Sequence, residues 1–175
     1  MERPCARFYG PRRIAIGADE SVYVVDQGRT RIVKFSPDGQ VLTTWGTKGN
    51  SEGQFDDPTS VAVDTSNNRV YVADPLNRRI QVFDSGGKFL TKWPIPQWGR
   101  THGFEDLAID SKKNRLYASS ANMDTVLVFD LNGNRIGNLA AKSGERLDGP
   151  SALALRDRKL YVLNMAGNRV SVIDL

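Results

Sequence analysis

An all-β fold of repeated four-stranded antiparallel units is predicted by three features of the 175-residue chain. A short apolar run recurs every 46 or 47 residues, as Ile14-Ala-Ile16, Val61-Ala-Val63, Leu107-Ala-Ile109 and Leu153-Ala-Leu155. The runs that follow each copy are short, β-branched or aromatic, and alternate with period two. Gly, Asn and Asp fill the gaps between runs, where tight hairpins need them. No segment has a helical period. A repeat of this size with four such strands is the signature of a β-propeller blade.

The elements follow in a fixed order. The first run ends in a polar turn: GADES, DTSNNR, DSKKNR or RDRK. The second run is Val22–Asp26, Val70–Asp74, Leu116–Ser120 or Leu160–Asn164, with tyrosine as its second residue each time. The third run is RIVKF, RIQVF, TVLVF or RVSVI, and a Gly-rich turn follows in three copies, SPDGQ, DSGGK and DLNGN. A fourth run then leads to Trp45, Trp93 or Leu139. Alternation is loose in the first two runs, as expected for inner strands covered on both faces. The long polar stretch WGTKGNSEGQFDDP fits a return from the rim of one blade to the axis of the next. That crossing spans three inter-strand spacings, roughly 15 Å. Its recurrence as WPIPQWGRTHGFED and LAAKSGERLDGP marks a structural connection rather than a single lid.

The units run approximately over 11–46, 58–94, 104–140 and 150–175, within one propeller domain or propeller fragment, 1–175. The last unit stops after its third strand. Residues 4–10 (PCARFYG) look like VLTTWG and are expected to supply the missing rim strand, closing a four-bladed ring and removing an exposed edge. Two other readings stay open: a homodimer completing one propeller, or a piece of a larger one. An open blade face would expose Val, Leu and Ile to water.

Composition sets limits on function. With 39% apolar and 25% charged residues the chain is expected to be globular and soluble. No run of about 18 apolar residues occurs, and MERPCARFYG lacks the apolar region of a secretory leader. Cys5 is the sole cysteine, so no intrachain disulfide forms. The net charge of +4 is interspersed rather than blocked, a weak pointer to a polyanionic partner. One His and one Cys do not make a three-ligand His/Cys zinc site. There is no Gly-x-Ser-x-Gly elbow and no phosphate-binding loop, and no cofactor or metal is expected.

The crossing WGTKGNSEGQFDDP, followed by VAVD, RVYVADPLNRRIQVFD and GGKFL, resembles the NHL repeat, a family of β-propeller blades. Copies one, three and four match less completely, through GRTRIVKFSPDGQ, THGFEDLAIDSKKNRLYASSANMDTVLVFD and LNMAGNRVSVID. The resemblance implies a non-catalytic binding or interaction scaffold, with the ligand surface on the face that bears the crossings. It implies a protein partner first, and allows single-stranded RNA on a basic face. The rival is a lactonase- or lyase-like propeller with a channel metal. A further alternative is a fragment or engineered propeller without independent function.

Two sets of residues are candidates for that surface. Asp26, Asp74 and Asn164 each precede an arginine by five residues, Arg31, Arg79 and Arg169. In the third unit these positions are Ser120 and Thr125, so acid and base are lost together. This pattern predicts polar pairs that fix the turn between the second and third strands. It also offers a ring of arginines able to bind an anion at the channel mouth. The second set is Trp98, Arg100 and His102 in WPIPQWGRTHGF, since Trp and Arg are favoured at binding hot spots. RNA binding would need aromatic residues among the basic ones, and Glu52, Asp56, Asp57, Glu145 and Asp148 in the crossings weigh against it.

Overall fold

The computed structural model describes residues 7–99, 103–139 and 146–175. Blade one consists of β1 (Pro11–Ile16), β2 (Val22–Asp26), β3 (Arg31–Phe35) and β4 (Val41–Trp45). Blade two is β5 (Ser60–Asp64), β6 (Arg69–Asp74), β7 (Arg79–Asp84) and β8 (Phe89–Pro94). Blade three is β9 (Leu107–Asp110), β10 (Arg115–Ser120), β11 (Thr125–Phe129) and β12 (Arg135–Leu139). Blade four is β13 (Pro150–Arg156), β14 (Lys159–Asn164) and β15 (Arg169–Asp174). Each blade is an antiparallel sheet in chain order, and the blades stand around a common axis with β1, β5, β9 and β13 innermost. This is a β-propeller of four blades.

Because both faces of a blade meet neighbours, apolar residues at odd and even positions go to different seams. Tyr23, Val25 and Ile32 of blade one meet Val61, Val70, Val72 and Phe83 of blade two. Tyr71, Ile80 and Val82 meet Leu107, Leu116 and Leu127 across the next seam. Tyr117, Val126 and Val128 meet Leu160, Val162 and Ile173 across the third. One residue of each crossing wedges into the seam: Phe55 in the first, Trp98 in the second, Leu147 in the third.

The rim tryptophans explain one glycine in the hairpin turns between the third and fourth strands of blades two and three. Gly87 and Gly133 have φ of +90°, and a Cβ at either would lie 2.6 Å from the ring of Trp45 or Trp93 in the preceding blade. Gly39, with φ of +85°, has open space around it. Gly133→Ala is therefore expected to lose about 2–3 kcal/mol, backbone strain plus a ring clash. Gly39→Ala should lose only the strain, about 1 kcal/mol. Thermal melts of the two variants separate these contributions, and equal losses would remove the ring contact from the explanation.

Residues 4–10 do not behave as the rim strand of blade four, as far as they are described; 4–6 lie outside the described residues. Tyr9 N–H donates to Asp26 Oδ1 at 2.7 Å, and the Phe8 ring sits 5.9 Å from Phe35. Both contacts repeat in blade two, where Asp56 N–H donates to Asp74 at 2.8 Å and Phe55 lies 5.7 Å from Phe83. Arg7–Gly10 is thus the end of a crossing into blade one. Its side chains follow the repeat register, which the likeness of PCARFYG to VLTTWG concealed. Among the described residues blade four has three strands.

No apolar cluster joins blade four to blade one among the described residues. Ile14 and Ile16 are 67% and 62% exposed, and Val170 and Val172 are 57% and 50% exposed. The residues equivalent to Val170 in the other blades, Ile32, Ile80 and Val126, are fully buried.

Candidate functional site

The turn between the second and third strands has the same backbone in the first three blades. In the first three blades a one-turn 3-10 helix (Gln27–Arg29, Pro75–Asn77, Ala121–Met123) ends on a left-handed residue, Thr30, Arg78 or Asp124. The residue just before the helix, Asp26, Asp74 or Ser120, is buried. Asp74 accepts from Arg79 Nε at 2.8 Å, from the Asp56 N–H at 2.8 Å and from Asn77 Nδ2. Arg79 then places its remaining donors on the carbonyls of Asn50, Ser51 and Gln54 at 2.7–2.9 Å. In blade one Arg31 Nε donates to Asp26 at 2.8 Å and Arg31 Nη2 to the Arg7 carbonyl at 3.1 Å.

Blade four departs from this pattern. Asn164 accepts from the Asp148 N–H at 3.0 Å and donates to Ser171 Oγ at 2.9 Å, while Arg169 donates to the Arg146 carbonyl. Asn164 and Arg169 are not brought into a pair. In blade three Ser120 Oγ is buried with no partner, and Thr125 Oγ1 donates to the Leu139 carbonyl at 3.1 Å.

These arginines staple the crossings to the blades. Arg79 is almost entirely buried, so it does not present a free guanidinium at the channel mouth. Trp98 is likewise not a surface anchor. It is fully buried in the seam between blades two and three, with Nε1 donating to the Ser119 carbonyl at 2.9 Å. An aromatic residue in a polar loop reads as exposed, but here it fills the place that Phe55 takes one blade earlier. Arg100 and His102 lie outside the described residues.

Sequence reasoning missed the groups at the axis. Arg13, Ser60, Asp106 and Ala152 are equivalent positions at the start of the innermost strands, 47, 46 and 46 residues apart. Asp106 is buried and accepts four donors: Arg13 Nε at 3.0 Å, Arg13 Nη2 at 2.8 Å, Ser60 Oγ at 2.6 Å and the Leu153 N–H at 2.8 Å. One carboxylate thereby ties blade three to blades one, two and four. The signal available was the alignment itself, which puts an arginine and an aspartate at one repeat position.

Beside this hub lies an axial depression of about 520 Å³, on the face that carries the crossings. Its wall includes Arg12, Gln27, Thr59, Phe104, Glu105, Ser151 and Met165. Arg12 lies 4.7 Å over the Phe104 ring and donates to Gln27 Oε1 at 3.1 Å and the Gly103 carbonyl at 2.9 Å. Burial lowers the Arg12 pKa, against the pull of Asp57 and Glu105. Glu105 is 3% exposed, and its Oε2 has no hydrogen-bond partner. Burial pushes the Glu105 carboxyl above the usual glutamate range, against the pull of the Arg12 charge. Among the described residues no group of three His, Cys, Asp or Glu side chains could hold a metal ion. No helix among them is long and apolar enough to cross a membrane.

Comparison with known proteins agrees with the geometry of blade two. The family model described as NHL repeat matches residues 55–83, from the wedge residue Phe55 to the end of the third strand. Blade two carries an NHL repeat. Human NHL repeat-containing protein 3 is 35% identical over 91 residues, which is 50% of this chain and 26% of that protein. Mouse peptidyl-glycine alpha-amidating monooxygenase is 34% identical over 92 residues, 49% of this chain and 9% of that protein. The chain thus matches only a minor part of either relative's length. Among solved structures, one from a crystal structure of a nidogen/laminin complex superposes with a TM-score of 0.66 at 19% identity. The superposition covers 96% of this chain and 60% of that one, and speaks to the fold alone.

Proposed function

We propose that this NHL propeller is a non-catalytic binding scaffold whose first protein partner is a second copy of itself. The observation that carries the reading is the pair of open seam halves. Ile14 and Ile16 occupy the positions by which blades two to four meet the blade before them. Val170 and Val172 occupy those by which blades one to three meet the blade after them. Each exposed face is the missing half of the other, and burying a large aliphatic side chain is worth about 1.5–3 kcal/mol. Two copies joined blade four to blade one, twice, make a closed two-fold assembly.

Light scattering across a range of concentrations tests it. A mass twice that of the chain is expected for the wild type. The doubly substituted Val170→Glu, Val172→Glu chain should run as a folded monomer, because both side chains face outward in one copy. A wild type that stays monomeric at high concentration, or a doubly substituted chain that still pairs, would overturn the reading.

For RNA, the loop expected to interleave aromatic and basic side chains offers no stacking platform at Trp98, which is buried. That leaves protein recognition as the better-supported use of the scaffold.

A further inference from the structure

We infer that the axial depression is a recognition pocket for a positively charged aliphatic side chain, a lysine or an arginine, with Glu105 as its counter-charge. Arg13 is engaged by Asp106 at 2.8 Å. Arg12 gives its hydrogen bonds to Gln27 and to the Gly103 carbonyl, neither of them a carboxylate. Glu105, on the wall of the same cavity, is left with a buried oxygen that receives no donor. A buried carboxylate oxygen without a donor is costly, and a cationic donor supplies the hydrogen bond it lacks. The rest of the wall suits the stem of such a side chain. Phe104 and Met165 are both half exposed at the mouth, and they can cover methylene groups while the charged head reaches inward. An anionic ligand would bring no donor to the orphaned Glu105 oxygen.

Leu163 on the wall of the depression also lies opposite Val170 on the open face of blade four, so the mass of the chain is measured in the same samples, and absence of probe binding overturns this inference whether or not the chain pairs. The probes are Nα-acetyl-lysine amide and its uncharged analogue Nα-acetyl-norleucine amide, titrated into the whole chain. Backbone amide shifts of Gln27 and Ser151 are followed by NMR. Saturable shifts are expected with the lysine probe. Binding of the norleucine probe should be at least about tenfold weaker, the value of one charge-assisted hydrogen bond. Glu105→Gln should abolish the difference between the probes. Phe104→Ala, which keeps the charge, should weaken the lysine probe by about threefold or more. Equal binding of the two probes by the wild type overturns the inference. So does unchanged lysine binding by Glu105→Gln, or shifts that fail to saturate. If Glu105→Gln does not fold, the probe comparison on the wild type and on Phe104→Ala decides the matter alone.

Discussion

Asp106→Ala is expected to lower the unfolding free energy by about 3 kcal/mol, measured by urea denaturation. The carboxylate is buried and takes donors from three other blades. Its removal strands the Ser60 hydroxyl and the Leu153 N–H without an acceptor, and each buried orphan costs about 1–3 kcal/mol. Arg13 loses its partner as well, but its side chain is 36% exposed and can turn to water, so less is lost there than for a fully buried pair. Asp106→Asn keeps an oxygen for part of this set and should recover about half of the loss. A change below about 0.5 kcal/mol for the alanine variant would mean that the four innermost strands hold together without the hub.

Asp74 and Arg79 should show strong coupling in a double-mutant cycle. Either single alanine variant leaves the other charge buried, and breaking a buried pair in this way costs about 3–5 kcal/mol. Arg79→Ala also frees the carbonyls of Asn50, Ser51 and Gln54, while Asp74→Ala frees the Asp56 N–H. The doubly substituted chain no longer carries an unpaired charge. Its loss is expected to fall short of the sum of the singles by about 2 kcal/mol. Strict additivity would show that the two side chains act on the crossing independently. The natural Ser120 and Thr125 of blade three resemble such a double substitution, and Ser120 Oγ is correspondingly without a partner.

What could be read from the sequence is what repeats. The 46- or 47-residue spacing of Ile14, Val61, Leu107 and Leu153 places every innermost strand, and the recurrent tyrosine places the second. Asp26 and Asp74 lie within hydrogen-bond reach of their arginines because both ends of that contact sit in one turn. The features that do not repeat were hidden. Arg13 and Asp106 are 93 residues apart, and nothing local marks them as partners. Trp98 reads as surface because its neighbours are polar, yet the seam beneath needs a large side chain that this crossing supplies at a shifted position. Glu105 lies in a stretch that reads only as connection, and nothing local marks it as buried. The likeness of PCARFYG to a rim strand is a local match. It loses to Phe8 and Tyr9, whose register with Phe55 and Asp56 sends them into blade one.

The Asp106 hub changes how this chain should come apart. A row of repeats that touch only their nearest neighbours tends to fray from its ends, each unit melting with its own midpoint. Here one carboxylate reaches past the nearest neighbour, from blade three to blade one through Arg13. Loss of an end blade then disturbs groups at the axis as well as a single seam. Melting is thereby driven toward one all-or-none transition, and the amides of β1 and β13 should exchange with solvent at closely similar rates although they belong to opposite ends of the row.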